Sequence, residues 1–267
     1  MADNIATDRA RMPEGTQKVL DKRTLVADNK NLLKYLQPGK HVLDVGCGSG
    51  SITKGMAEIA GPGGKVTGID PGEALIAQAQ ANYRDVPGLV FKVADVHTFD
   101  EGERYDIVTA ARVLQWLANP LEVLQKMKGL LKETGVLAIL DYNHEKITWD
   151  PAPPPEMRRF YDAFLQWRKD AGFDNQVADH LHDMFTALGF SAITTEPHLE
   201  LTQRSDAHFV SKARIWAEVA ETRGHQLVKD NYITEAERQA AIIAYDAWLA
   251  NEGRGMQLYL LAVEARL

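Results

Sequence analysis

Three glycines, each two residues from the next, follow closely on an acid in the run His41-Val42-Leu43-Asp44-Val45-Gly46-Cys47-Gly48-Ser49-Gly50. Glycine has no Cβ, so Gly46, Gly48 and Gly50 can take positive φ and let a ligand lie against the backbone. The free N–H groups of such a turn, and of a helix opening behind it, would face that ligand. The chemistry is that of a nucleotide-type pocket, and Asp44 narrows the choice of ligand. A dinucleotide fingerprint has the spacing G-x-G-x-x-G; here the third glycine comes one position early and Ser51 stands at the glycine place. A carboxylate just before the loop would repel a pyrophosphate and attract a cation. S-adenosylmethionine, with an ammonium, a sulfonium and no phosphate, fits those charges.

Further acids fall at matching places. The run Val66-Thr67-Gly68-Ile69-Asp70 ends in a carboxylate about 20 residues beyond the glycine turn, where an acid can take both hydroxyls of a ribose in charge-assisted hydrogen bonds. The competing role for Asp70 is to cap a helix opening at Pro71 or Gly72. Val93-Ala94-Asp95-Val96 places another acid just after an apolar run, a position that also suits any turn. Beyond the fifth apolar run stands Asp141-Tyr142-Asn143-His144-Glu145. His144 titrates near neutrality and could accept a proton as a catalytic base; the bland alternative is a surface-loop histidine with ordinary hydrogen bonds. His180 and His182 are two apart in a helical pattern and point away from each other, and there is no cysteine cluster, so no metal is expected. The sole cysteine, Cys47, allows no intramolecular disulfide and reads as a small buried side chain.

Alternating elements must position these groups. The pattern predicts strands at Val42–Val45, Lys65–Ile69, Leu89–Val93, Tyr105–Ala110 and Val136–Leu140, with helices at Ser51–Ala60, Glu73–Tyr83 and Leu121–Leu131. Repeated β-α-β argues for a parallel sheet with helices on both faces. The run Val136–Leu140, apolar throughout, suits a strand buried on both sides. Residues 1–14 read as loose. A helical stripe of Leu25, Leu32, Leu33 and Leu36 runs from about Gly15 until Pro38-Gly39 stops it. The prolines of residues 150–155 break the alternation. Helices are then predicted at Met157–Lys169, Gln176–Leu188, Asp206–Thr222 and Thr234–Ala250, and strands at Phe190–Glu196 and Met256–Ala265.

The run LDVGCGSG, Leu43 to Gly50, resembles motif I of the class I S-adenosylmethionine-dependent methyltransferases. The order of elements extends the resemblance from about Gln37 to Leu267, with insertions, and its motif-bearing part ends near Asp141. The resemblance implies a Rossmann-like, doubly wound α/β fold: a seven-stranded, mostly parallel sheet, its last strand antiparallel, with a helical cap. It implies S-adenosyl-L-methionine as cofactor, held at Asp44, Gly46, Gly48 and Gly50, with Asp70 and the adjoining Pro71 at the ribose. Asp95 would accept the adenine amino group and the Val96 N–H would meet a ring nitrogen. Ala111 and Arg112, at the end of the fourth strand, would lie beside the methionine part. Gln115 and Trp116 would pack over the adenine or in the helix that follows. In motif detail the chain is most similar to the small-molecule branch that includes quinone-ring and tailoring methyltransferases. Thr109-Ala110-Ala111-Arg112 lacks the proline pair of the methyltransferases that act on base amines of nucleic acids.

Three segments are expected: residues 1–36 as an N-terminal helical cap, 37–149 as the cofactor-binding core, and 150–267 as the rest of the core, two C-terminal strands, with cap insertions. A formal net charge of −7 does not suit bulk neutralisation of nucleic-acid phosphates. No run approaches the ~18 consecutive apolar residues of a membrane span. The polar N-terminus shows no secretory apolar region, so a cytoplasmic location is expected. Phe160, Tyr161, Phe164, Trp167, Trp216, Tyr232 and Trp248 supply stripes for helix packing; a subset could line an apolar acceptor pocket or a homodimer face. Arg112, Arg158 and Arg159 could meet an anionic group, though exposed surface is the commoner setting for the last two. The expected reaction is in-line methyl transfer to an O, N or C atom of a small organic acceptor. Two other readings stay open: an NAD(P)-dependent reductase, disfavoured by Asp44 and Ser51, and an S-adenosylmethionine-binding module without catalysis.

Overall fold

The computed structural model of the chain describes residues 2–13, 15 and 17–267. The β-α-β alternation yields β1 (His41–Val45), β2 (Lys65–Asp70), β3 (Leu89–Val93), β4 (Tyr105–Ala111) and β5 (Leu131–Tyr142). Then come β6 (Thr148–Asp150), β7 (Ser191–Pro197), β8 (Glu200–Gln203), β9 (Gly255–Leu258) and β10 (Leu260–Arg266). The main sheet has seven strands in the order β3-β2-β1-β4-β5-β10-β7. The first five are parallel, and β10 runs antiparallel to β5 and to β7. This is the expected doubly wound sheet with an antiparallel last strand. Its central strands are apolar on both faces: Val42, Leu43, Ile107, Val108, Leu137 and Ile139 are all buried. Edge strand β3 leaves Val90 and Val93 exposed. Strand order reverses between β1 and β4, and in open α/β sheets the carboxyl ends at such a point form the ligand crevice.

The strand expected over Met256–Ala265 is two strands in two sheets. β9 sits between β6 and β8 in a small three-stranded sheet, and β10 joins the main one. Tyr259 is the switch, and its carbonyl accepts the Asn143 N–H at 2.9 Å. Apolar side chains flank Tyr259 on both sides, Leu258 before it and Leu260 and Leu261 after it, so no residue type marked the break; the change of partner strand makes it.

The helices are α1 (Ala2–Ala10), α2 (Gln17–Leu20), α3 (Leu25–Asp28), α4 (Ser51–Ala60), α5 (Glu73–Tyr83), α6 (Pro120–Gly129), α7 (Pro155–Asp170) and α8 (Val177–Ala187), then α9 (Phe209–Ala213), α10 (Ile215–Thr222), α11 (Gly224–Lys229) and α12 (Glu235–Asn251). Four expectations need correction. Residues 2–10 are helical, not loose, while residues 1 and 14 lie outside the described residues. Tertiary contact holds α1: Ala6 packs with Phe173, and Arg9 lies over the rings of Trp167 and Tyr232 at 5.0 and 5.1 Å. The long N-terminal helix is instead α2, α3 and a 3-10 turn, Lys30–Lys34, with residue 16 outside the described set. Thr24 interrupts it by capping α3, accepting the Ala27 N–H at 3.2 Å. The helix over 206–222 is two, meeting at Arg214, and α11 was not foreseen.

A buried carboxylate fixes the N-terminal segment to the sheet. Glu264 on β10, 1% exposed, accepts from Asn31 Nδ2 at 2.9 Å, Tyr35 Oη at 2.9 Å and Lys34 Nζ at 2.6 Å. Helices α7 and α9–α12 pack around a second core. Phe160, Tyr161, Phe164, Trp167, Trp216 and Trp248 are buried there, and Tyr232 packs at its margin, so these rings serve mainly helix packing. Among the described residues, no helix is long and apolar enough to cross a membrane.

Candidate active site

β1 runs into the glycine turn and α4 follows at once. Gly46, Gly48 and Gly50 have φ of +70°, +55° and +81°. Two of them are also packed tightly. A Cβ on Gly46 would lie 2.5 Å from Val113, and one on Gly50 would lie 2.4 Å from the Phe91 ring. The turn folds back on β2: Gly46 N and Cys47 N both donate to the Ile69 carbonyl, at 2.8 and 3.0 Å. The N-terminal segment lies across it. Leu20 approaches Gly48, Ser51 Oγ donates to the Leu20 carbonyl at 2.8 Å, and Gln78 Nε2 donates to the Asp21 carboxylate. Cys47 sits beneath the turn against Gly68, and burial pushes its thiol well above the usual range, which suits packing and not nucleophilic attack.

The three acids stand at adjacent strand ends. Asp44 is 4% exposed and accepts from Thr53 Oγ1 at 2.6 Å. Burial, reinforced by nearby Asp70, pushes its carboxyl up to about 7 despite that hydrogen bond. Asp70 accepts from Gly48 N at 3.1 Å through one oxygen and from Gly72 N at 2.8 Å through the other. It does not cap α5, whose N-cap is Gly72 without a side-chain bond. Each oxygen of Asp70 keeps a lone pair for a further donor. Pro71 is exposed in the turn between them. Ala94 N bonds the Asp70 carbonyl at 3.1 Å, which brings the next strand end alongside. There Asp95 points to solvent, accepting the His97 N–H at 2.9 Å, while Val96 is buried.

His144 is not on the surface. It opens a 3-10 turn after β5, is 5% exposed, and is ringed by Tyr142, Phe164 and Trp216 at centroid distances of 5.3, 5.9 and 6.2 Å. Its Nε2 lies 2.6 Å from Gln115 Oε1. Gln115 Nε2 donates to the Arg112 carbonyl at 3.1 Å, which turns the amide oxygen toward the imidazole. His144 therefore donates through Nε2 and carries a free lone pair on Nδ1, which has no partner among the described residues. Burial, with repulsion from Arg168, holds its pKa well below the ordinary histidine value, so the ring is neutral.

Two residues the sequence did not single out, Arg168 and Asn175, hold this group together. Arg168, fully buried on α7, donates to Asn175 Oδ1 and to the Gln115 carbonyl, both at 2.8 Å. Asn175 in turn accepts the His144 backbone N–H through its carbonyl at 2.7 Å. Asp141, at the end of β5, receives Gln115 N at 3.2 Å, and burial pushes it up to about 6. The available signal was Arg168 itself, a charge four residues after Phe164 on the apolar stripe of a helix. The remaining expected residues lie between these groups. Ala111 packs with Leu140 and Tyr142. Arg112 adopts φ +63° at the end of β4, and its side chain donates to the Tyr142 hydroxyl, the Asp28 carbonyl and the Glu200 carboxylate. Arg158 and Arg159 pair with acids on their own helix, outside the site.

Residues 36–188, more than half of the chain, match the family described as methyltransferase domain. The chain belongs to that family. The resemblance noted in the glycine run is thereby borne out. A ubiquinone biosynthesis O-methyltransferase of Glaesserella parasuis is 38% identical over 112 residues, covering 39% of this chain and 46% of the relative. A trans-aconitate 2-methyltransferase of Escherichia coli is 26% identical over 219 residues, 72% of this chain and 78% of the relative. The chain spans only 36% and 46% of the first two curated relatives it matches. Among solved structures, phosphoethanolamine N-methyltransferase 2 of Haemonchus contortus, in complex with S-adenosyl-L-methionine, superposes with a TM-score of 0.56 at 15% identity. That match covers 89% of this chain and 51% of the other and concerns the fold.

Proposed function

We propose that this chain transfers a methyl group from S-adenosylmethionine to a small organic acceptor. One observation carries the reading: a glycine turn stands with Asp44, Asp70 and Asp95 at adjacent strand ends, and a buried neutral histidine with a free lone pair follows β5, two strands along from β1 in the same sheet. The donor set fits the cofactor. Gly46, Gly48 and Gly50 shape the turn, the buried acid Asp44 favours a cation, and Asp70, next to Pro71, has spare acceptor capacity for a ribose. Asp95 and the Val96 N–H would take the adenine, and the backbone at Ala111 and Arg112 would border the methionine end.

When bound, S-adenosylmethionine supplies an activated methyl on a sulfonium. The chain then has to place the acceptor in line, exclude water and take up a proton where the acceptor loses one. His144 suits the last task. Gln115 fixes its tautomer, leaving Nδ1 to accept from a hydroxyl or amine, and the Phe164 and Trp216 rings keep water out. A low pKa keeps Nδ1 available without prior deprotonation.

Calorimetric titration with S-adenosylmethionine, S-adenosylhomocysteine and NADH, followed by transfer of labelled methyl to a panel of phenols, quinols, amines and carboxylates, tests the reading. Binding of the two adenosyl ligands with labelling of at least one acceptor is expected. NADH binding alone would overturn it in favour of a reductase. Adenosyl binding without any labelled product would leave a non-catalytic binding module.

A further inference from the structure

Helix α7 carries a charge where its apolar stripe calls for a hydrocarbon. Phe160, Tyr161, Phe164 and Trp167 pack into the cap core, and Arg168, fully buried, follows them. Its Cζ lies 4.5 Å from the centroid of the Trp116 ring, 5.4 Å from that of Phe164 and 5.7 Å from that of Phe173. Among the described residues no carboxylate pairs with it directly; Asp141 and Asp174 attract it from farther off. Arg223 repels it, with its own Cζ 3.7 Å from the same Trp116 centroid. Burial pulls Arg168 down to about 10, so the charge is present at neutral pH. A guanidinium taken out of water without an ion pair is a cost to the fold, and the rings offset only part of it.

The bonds this side chain makes all lead to His144. Nη2 donates to the Gln115 carbonyl at 2.8 Å, and the Gln115 side chain holds Oε1 2.6 Å from His144 Nε2. Nε donates to Asn175 Oδ1 at 2.8 Å, and the Asn175 carbonyl accepts the His144 N–H at 2.7 Å. One planar fork thus engages both the residue that bonds the imidazole and the residue that bonds its backbone. Helix α7 adds a third restraint, because Tyr161 Oη donates to the His144 carbonyl.

We propose that Arg168 is the positioning residue for His144, fixing the Nε2–H tautomer through Gln115 and the placement of the ring through Asn175, so that Nδ1 stays open to the acceptor's proton. The proposal rests on the methyl-transfer reading and adds what holds its base in place. The charge of Arg168 acts with the geometry. Tyr142 from β5, Phe164 from α7 and Trp216 from α10 put uncharged rings around the imidazole. Asp141 is engaged by the N–H groups of Gln115 and Tyr142, Glu145 by Gln176, and Asp179 of α8 by Lys146. After burial, the charge that bears on His144 is Arg168, which disfavours the imidazolium. A lysine would supply that charge without the rigid fork that reaches both partners.

The test reads the histidine and the rate separately in the full chain. Nuclear magnetic resonance of isotope-labelled histidine gives the tautomer and protonation midpoint, with His144→Ala assigning the signal, and the labelled-methyl assay gives kcat and KM. Affinity for S-adenosylhomocysteine within about twofold of wild type marks a variant as folded. The wild type should show the neutral Nε2–H tautomer from about pH 5 to 8. Arg168→Gln should mix the tautomers and raise the midpoint toward the ordinary histidine value, since a positive neighbour is gone. It should lower kcat about 10- to 100-fold and leave KM within about twofold. Arg168→Lys should keep the low midpoint and still lose tautomer order and about tenfold in kcat. Asn175→Ala removes one partner of the fork and leaves the charge, so the midpoint should stay and kcat should fall about 3- to 10-fold. A folded Arg168→Gln with the wild-type tautomer and midpoint would overturn the proposal whatever its rate, as would the Nδ1–H tautomer in the wild type. If the arginine variants do not fold, wild-type kcat in Asn175→Ala overturns it. The expected signals, moved by Arg168→Gln in a chain that labels no acceptor, would instead count against methyl transfer and leave the positioning role standing.

Discussion

Replacing Asp44 by asparagine separates what this acid costs the fold from what it contributes to the ligand. Asp44 is 4% exposed, has Thr53 as its side-chain partner and faces the charge of Asp70, and its carboxyl is pushed up from 3.8 to about 7. The folded chain therefore keeps the proton over a range in which the unfolded chain has lost it. Stability contributed by this group is present below about pH 4, falls as pH rises toward 7, and is level above. Roughly three units at about 1.4 kcal/mol each set an upper magnitude near 4 kcal/mol, and relaxation around the ion reduces it to about 2–4 kcal/mol. Asparagine keeps an acceptor for Thr53 and cannot ionise. Urea unfolding of the cofactor-free protein should give free energies for Asp44→Asn and wild type that agree within about 1 kcal/mol near pH 4.5. Near pH 8 they should diverge by about 2–4 kcal/mol in favour of asparagine. Affinity for S-adenosylhomocysteine should move the other way, weakening by about tenfold or more as the charge is lost. A stability difference that is the same at both pH values would refute the argument, because the acid would then not be carrying a raised pKa in the fold.

Other outcomes follow from the same geometry. Gly50→Ala combines φ +81° with a Cβ 2.4 Å from Phe91 and should lose about 2 kcal/mol or more, read as a fall in the thermal midpoint. His144→Ala should lower kcat by about 100-fold or more with little change in cofactor affinity, and the wild-type rate should pass through pH 6.5 without an inflection, since the ring is already neutral there. A profile that falls by half near pH 6.5 would count against that role. Phe164→Ala, in the buried cap core beside His144, should cost about 3–5 kcal/mol in denaturant unfolding.

What could be read ahead of the structure was local. Gly46 to Gly50, Asp44 and Asp70 belong to one strand–turn–helix–strand unit, so spacing along the chain reports spacing in space. Helices α4 and α5 and strand β3 lie over the residues where apolar periodicity put them. The other half of the site is assembled from distant segments. His144 was legible as a strand-end histidine, but its burial depends on α7 and α10, which no nearby residue announces. The group of Asp28, Arg112, Tyr142 and Glu200 draws on four separate stretches of chain, and an arginine's partners cannot be read from its neighbours in sequence. Helix α1 has weak amphipathic patterning and forms against Phe173, Trp167 and Tyr232, so tertiary contact and not local preference decides it.

The strand that passes from one sheet to the other has a consequence for how the chain acquires its shape. β10 lies between β5 and β7, and β9 lies between β6 and β8. Among the described residues, β7 pairs with β10 alone, and β6 and β8 pair with β9 alone. Four strand pairings therefore wait on residues 255–266, far along the chain from Leu131–Tyr142. Contacts so distant in sequence close slowly. Until they close, β5 presents an unpaired edge to its surroundings. The half of the sheet from β1 to β5 can pair in order of synthesis, whereas the pairings of β9 and β10 must wait for the end of the sequence described. Substitutions in β9 and β10 should therefore show their effect first as slow folding and aggregation of chains whose cofactor half is already in place.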